Sequence, residues 1–391
     1  MLPLEGITVV SLEHAIAAPF ATRQLADMGA RVIKVERPGV GDFARNYDTR
    51  VNGMASHFVW TNRSKESLTL DVKHAEGSVI LQKLVAGADV VVQNLAPGAA
   101  ARLGLGYDEL SKTNPGVIVC NISGYGKGGP DEKRKAYDLL VQSESGFVTT
   151  TGTTETPSKA GISIADISAG MYTYTNILAA IIQRGRTGKG CEIDLSMLDA
   201  MTEWMSYPLY YAYEGAEPPA RAGASHATIF PYGPFAVGDG RTVILGLQNE
   251  REWKAFCETV LESHDLTTDV RFVSNSLRAK NKSELTKIIT AKFSDLTTEL
   301  VIERLDHAGI ANANLNEMSD VWKHVQFEAR NRWREVDTPA GRIPALLPPG
   351  GIGSEPRMDA VPDLGEHSHA ILAEIGYSEE GIGELQNEKV I

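Results

Sequence analysis

The sequence predicts an α/β fold: a Rossmann-like parallel-sheet large domain joined to a smaller α+β domain. Three observations carry this. Short Val- and Ile-rich runs alternate with longer helical segments through the first half, the pattern of a parallel sheet covered by helices on both faces. Beyond residue 207 that alternation stops, and hairpin and helix signals replace it. The length, 391 residues, accommodates two domains.

Taken in order, ITVVSL (7–12) reads as a buried strand, followed by an Ala-rich helix at about 18–28 and a second strand, RVIKVE. LTLDV (68–72), DVVVQN (89–94) and GVIVCNI (116–122) are further strands, with AEGSVILQKLV a helix between two of them. Ile167, Met171, Tyr174, Leu178 and Ile181 recur at three- and four-residue steps, so 167–184 reads as a helix with one buried face. CEIDLSM then alternates as a strand. Residues 1–207 are read as the large domain, 208–224 as a Pro/Gly-containing linker and 225–324 as the small domain. In the small domain, Asp239-Gly240 between PFAV and TVILGL signals a hairpin. EREWKAFCETVL, KSELTKIITAKF and TTELVIERLDHAG read as helices. Residues 325–391 form a return segment, Pro- and Gly-rich at first and helical at 365–375.

Composition narrows the function classes. The net charge of −12 argues against a nucleic-acid partner and against an anionic membrane surface. No apolar run reaches spanning length, and the first residues lack a basic leader pattern, so a cytoplasmic protein is expected. The three cysteines, Cys120, Cys191 and Cys257, are isolated, which predicts neither a disulfide framework nor a metal site.

Ligands of such sheets bind beyond the carboxyl ends of the strands. The first strand-to-helix turn, SLEHAIAAPFA, has no glycine, so a dinucleotide pyrophosphate is disfavoured. His14 lies in this turn as a loop histidine or a ligand contact. Lys34, Arg37, Arg63, Lys65, Lys73 and Arg102 gather near strand ends and suit a phosphorylated ligand, with solvated surface charge the alternative. Asp166 stands at the start of the long helix, after a Gly/Thr/Ser-rich segment and ahead of the basic turn RGRTGKG. It is either a helix cap or a reactive carboxylate. Glu144 and Asp194 are rival carboxylates with structural roles favoured.

The ordered set G-x-x-x-x-D-x-x-x-G (Gly161 to Gly170), R-x-R-T-G-K-G (Arg184 to Gly190) and Ile193 to Ala200 resembles the class III CoA-transferase family, over nearly the whole chain. The resemblance implies a CoA-transferase with Asp166 as the acylated nucleophile, and no cofactor beyond the co-substrate coenzyme A. It implies CoA contacts at His14, Ala15, Arg37, Leu70, Lys73, Asn94, Arg102 and Lys135. Ile16 departs from a polar residue that some members carry beside the acyl group. Tyr137 stands where related racemases place a histidine, which disfavours an acyl-CoA racemase or epimerase. Gly246 to Trp253, Leu305 to Asn314 and Asn331 to Pro349 look most like a subgroup acting on C4–C5 dicarboxylates: itaconate, mesaconate or citramalate, with succinyl-CoA as donor. Arg221, His226, Gln248 and Asn249 are the candidates for the second carboxylate. An intramolecular C1–C4 shift of CoA on mesaconyl-CoA is the variant of the same chemistry. The family's two interlocked chains imply a homodimer.

Overall fold

The computed structural model describes residues 1–351 and 353–391. They form two compact units, one of Met1–Phe147, Ala160–Tyr207 and Phe327–Ile391, the other of Val148–Lys159 and Pro208–Gln326.

The first unit is built on a parallel sheet of β1 (Thr8–Leu12), β2 (Arg31–Glu36), β3 (Glu66–Thr69), β4 (Val90–Gln93), β5 (Ile118–Ser123) and β6 (Cys191–Ser196). Its six strands run in the order β3-β2-β1-β4-β5-β6. Every neighbouring pair is parallel. The direction of winding reverses between β1 and β4, and such a switch point leaves a crevice beyond the strand ends.

Successive side chains point to opposite faces of a strand, and here both faces are covered. Val9, Val90 and Ile118 pack with Ala18 and Leu25 of the helix Ala17–Asp27 and with Ile177 of the helix Ile164–Thr187. Val10, Val91 and Val119 pack on the other side with Ile80 and Leu84 of the helix Ala75–Ala86. Burial on both faces explains why these strands read as unbroken apolar runs.

The helix Ile164–Thr187 extends three residues beyond each end of the predicted span. Its deepest face is mostly small residues, Ala165, Ser168, Ala169, Gly170 and Thr173, continued by Ile177, while the predicted row of larger side chains is partly buried beside it. Gly170 sets that approach: a Cβ there would sit 2.7 Å from the Ala17 carbonyl oxygen and 2.9 Å from the Phe20 ring.

In the second unit β7 (Tyr232–Ala236), β8 (Thr242–Gly246) and β9 (Ala311–Asn314) form an antiparallel sheet in that order. The Asp239-Gly240 turn joins β7 to β8, with Gly240 at φ 83°. Phe235, Val243, Trp253, Phe256, Leu285, Ile289 and Val301 make its core against helices that include Lys282–Phe293 and Thr298–His307. Residues 148–159, read from sequence as part of the large domain, cluster with this unit, as does Pro208–Gln326. A helix at Ser206–Tyr211 opens the stretch read as a linker; six residues are too few to display a period.

The return segment belongs to the first unit. It contributes the antiparallel hairpin of β10 (Trp333–Val336) and β11 (Ile343–Leu346). It then supplies Ile371, Leu372, Ile382 and Leu385, on helices Ser368–Glu374 and Glu379–Asn387, to the face that holds Val10 and Val91. It also covers the outer strand β3. Ser67 N–H donates to His367 Nδ1 at 3.2 Å, His367 N–H to the Ser67 carbonyl at 3.0 Å, and Thr69 N–H to Ser368 Oγ at 3.0 Å.

Candidate active site

A cleft of about 730 Å³ opens at the carboxyl ends of β1, β4, β5 and β6, at the switch point of the sheet. Its wall includes His14, Ala15, Ile16, Asn94, Lys135, Tyr137 and Asp166 from the predicted set. The β1 and β4 loops are fastened together: His14 N–H donates to Asn94 Oδ1, and Asn94 Nδ2 donates back to the His14 carbonyl, both at 2.9 Å. Ala15 takes φ 61°, a left-handed conformation that costs a non-glycine residue about 1 kcal/mol. Its N–H donates to Asp42 Oδ1 at 3.0 Å, which holds the turn in place. A turn without glycine thus still brings backbone to the cleft edge.

Asp166 lies in the first turn of its helix, partly buried. It does not cap that helix. The capping carboxylate is Asp138, whose Oδ1 accepts from the Ala165 N–H at 2.9 Å and the Asp166 N–H at 3.3 Å. Gln142 Nε2 fixes the other oxygen, Oδ2, at 2.6 Å. The amides that would stabilise an anionic Asp166 are therefore taken, and among the described residues no donor reaches its carboxylate. Burial pushes the Asp166 carboxyl up, and the charge of Asp138 adds to this, to about 7. An ordinary aspartate would be fully ionised at neutral pH; this one is balanced between its two forms, desolvated and facing a cleft.

Several predicted cations serve the fold. Lys34 and Lys65 are fully buried around Glu13, at 3.3 and 2.6 Å, and Lys34 reaches Asp42 at 2.8 Å. Burial alone would raise the Glu13 carboxyl, yet Lys65 and Lys34 outweigh it and hold it below its usual range. Burial pushes the Lys65 ammonium down to about 8. Arg63 is buried in a bidentate pair with Asp27, both bonds 2.8 Å. The sequence reading of Lys34, Arg63 and Lys65 as phosphate ligands is corrected accordingly: charges clustered at strand ends can equally neutralise one another inside the sheet layer. Arg37, Lys73 and Arg102 are exposed and lie outside the cleft wall. Arg37 packs over the Phe43 ring, which in turn stacks on His14 at 4.6 Å. The Leu70 side chain is in the core, so only its backbone can meet a ligand.

The candidates for the second carboxylate lie in the other unit. Arg221 donates to the carbonyls of Thr153, Thr149 and Thr154 at 2.7, 3.1 and 2.8 Å, so its guanidinium orders the Thr-rich loop. Asn249 caps the helix Glu250–Ala255, accepting from Glu252 N–H at 3.0 Å and donating to Glu252 Oε1 at 2.8 Å. His226 Nδ1 accepts from the Thr228 and Ile229 amides. The Gln248 N–H donates to Glu252 Oε2 at 2.7 Å. The Arg221 and Asn249 side chains are thus occupied in local structure, which corrects the expectation for those two.

The basic turn after the long helix is structural as well. Gly188, at φ 71°, ends the helix, and Arg184 pairs with Asp89 at 2.9 Å. At 1.5 Å per residue that turn is roughly 30 Å along the helix from Asp166. Of the rival carboxylates, Glu144 is paired to Arg134 at 3.0 Å on the surface, and Asp194 on β6 lines the cleft 3.9 Å from Lys127. Residues whose site role sequence reasoning missed are Asp138 and Asp42, which hold the two turns of the cleft, and Tyr47 and His57 in its wall. Asp138 directly follows Tyr137, and that adjacency was the available signal. Among the described residues no group of three or more His, Cys, Asp or Glu is placed to hold a metal ion. No helix of the described residues is long and apolar enough to cross a membrane.

Comparison with known proteins agrees with this architecture. A family profile described as CoA-transferase family III matches residues 4–368. The chain is 34% identical over 386 residues to succinyl-CoA:glutarate CoA-transferase of Mus musculus, covering 97% of this chain and 88% of that one. It is 31% identical over 388 residues to succinyl-CoA:mesaconate CoA-transferase of Haloarcula hispanica, covering 95% and 96%. The crystal structure of a CAIB/BAIF family protein from Brucella suis superposes with a TM-score of 0.85 at 34% identity, over 96% of this chain and 99% of that one.

Proposed function

The chain belongs to CoA-transferase family III, and we propose that it moves CoA from a dicarboxylyl-CoA, such as succinyl-CoA, to a short free dicarboxylate through Asp166. Relatives named for glutarate and for mesaconate support the dicarboxylate class. The observation that carries Asp166 is its desolvated carboxylate, unbonded among the described residues, in the wall of the switch-point cleft.

The chemistry needs no net proton. An Asp166 oxygen attacks the thioester carbonyl, the C–S bond breaks, and CoA leaves as thiolate, giving a mixed anhydride. The thiolate attacks the Asp166 carbonyl of that anhydride, the donor acid leaves as carboxylate, and an aspartyl thioester remains. The acceptor carboxylate attacks this thioester and expels the thiolate. The thiolate then attacks the acceptor's acyl carbon, which releases new acyl-CoA and the free Asp166 carboxylate. Asp138 holds the helix start so that Asp166 stays in reach of both partners.

Glutarate, mesaconate, itaconate and citramalate are the acceptors to assay with succinyl-CoA, in a homodimer as the family resemblance implies. Asp166→Ala is expected to lower transfer at least 1,000-fold. Hydroxylamine added during turnover of the unaltered protein is expected to mark Asp166 by mass. Full activity in the alanine variant removes Asp166 from the mechanism.

A further inference from the structure

If the acceptor is a dicarboxylate, its distal carboxylate needs a donor in the same cleft as Asp166. The cleft wall holds few cations. Lys127 is paired with Glu192 at 2.8 Å, and Arg134 with Asp131 and Glu144 at 2.9 and 3.0 Å. His14 is stacked on Phe43, and the family resemblance gives both His14 and Lys135 to CoA. His57 remains. It lines the cleft from the start of the helix Ser56–Asn62.

The ring of His57 is set rather than free. Tyr47 packs edge-on against it, with centroids 5.6 Å apart and planes at 81°. Its Nδ1 is buried, lies 3.8 Å from Asp48 Oδ2, and has no hydrogen-bond partner among the described residues. Asp48 is in turn locked by Ser56 Oγ at 2.6 Å and by the amides of Ser56 and Arg50 at 3.0 and 2.9 Å. The side chain as a whole stays 40% exposed and lines the cleft. Tyr47 also lines the cleft, and burial together with the charges of Asp42 and Asp166 keeps the proton on its hydroxyl. That hydroxyl is therefore a hydrogen-bond donor within the electrostatic reach of Asp166.

We propose that His57, held edge-on against Tyr47 with Asp48 nearby, receives the distal carboxylate of the acid whose other carboxylate reacts at Asp166. This rests on the dicarboxylate reading above. It makes His57 a specificity-determining residue, and it places the specificity of the first unit on the 43–60 segment, away from every position assigned to CoA.

The test compares glutarate with pentanoate, an acid of equal chain length lacking the second carboxylate, using one acyl-CoA donor. The readout is the ratio of kcat/KM for the two acceptors. In His57→Leu that ratio is expected to fall at least tenfold, chiefly through a higher KM for glutarate. His57→Gln keeps a donor and is expected to fall between Leu and the original, which also covers failure of the leucine variant to fold. An unchanged ratio in His57→Gln and in any folded His57→Leu overturns the assignment while leaving dicarboxylate transfer standing. A starting protein that does not prefer glutarate to pentanoate overturns both.

Discussion

Asp166 combines two properties that a simple helix cap lacks. Its amides are satisfied by another residue, and its carboxyl is pushed up to about 7 by burial and by Asp138. The nucleophilic form is the anion, so kcat/KM is expected to rise from pH 6 and level off above about pH 8. Asp138→Asn keeps an accepting oxygen for the helix start but removes the like charge, and should move that rise to lower pH. A rise that moves upward instead contradicts the assignment of Asp138 as the neighbouring charge. The same shift sets a stability sign. A carboxyl raised on folding costs nothing below its unfolded value near 4, and the cost grows to its full size as pH climbs past 7. At ~1.4 kcal/mol per unit that cost reaches at most about 4 kcal/mol. Asp166→Asn is therefore expected to abolish transfer yet to raise the melting temperature more at pH 8 than at pH 5. The position of Asp166 was legible in the sequence; its pKa was not, because it depends first on burial and then on Asp138, which a different helix carries to that spot.

Among the elements, the long helix shows why the spaced glycine of the motif matters. Gly170 lets the helix pass against the carbonyl of Ala17, at the start of the helix that follows the His14–Ala15 turn. Gly170→Ala is expected to cost about 1–3 kcal/mol through overpacking, read by urea denaturation. It should also lower kcat, because it shifts Asp166 relative to that turn. Periodicity located this helix within three residues at each end but favoured the row of large side chains over the smaller, deeper one. Size misled the sequence reading here: close packing against another helix selects Ala, Thr and Gly, which carry little hydrophobic signal. The buried Lys34–Glu13–Lys65 group shows the same limit, since spacing along the chain does not tell an inward cation from an outward one.

On the scale of the whole molecule, the alternating first half and the hairpin signal at Asp239-Gly240 were enough to anticipate a parallel sheet and a separate antiparallel one. The ownership of residues 148–159 and the second C-terminal helix were not legible, because both depend on contacts between distant stretches. The first unit depends on its last residues. Ile371, Leu372, Ile382, Leu385 and Val390 are all buried in one core. At about 1.5–3 kcal/mol for each side chain, their loss rivals the whole stability of a typical domain, about 5–15 kcal/mol. Deletion of residues 366–391 is expected to yield insoluble protein or a dye-binding, loosely packed state; a deletion product that melts cooperatively near the intact temperature would refute this.

The cover on β3 also sets a schedule for synthesis. Ser368 bonds Thr69 across 299 residues of chain. At about 5–20 residues per second, a nascent chain carries that strand edge uncapped on the ribosome for roughly 15–60 s. During that interval the edge is a target for chaperones, and in their absence a template for pairing with the next chain on the same message.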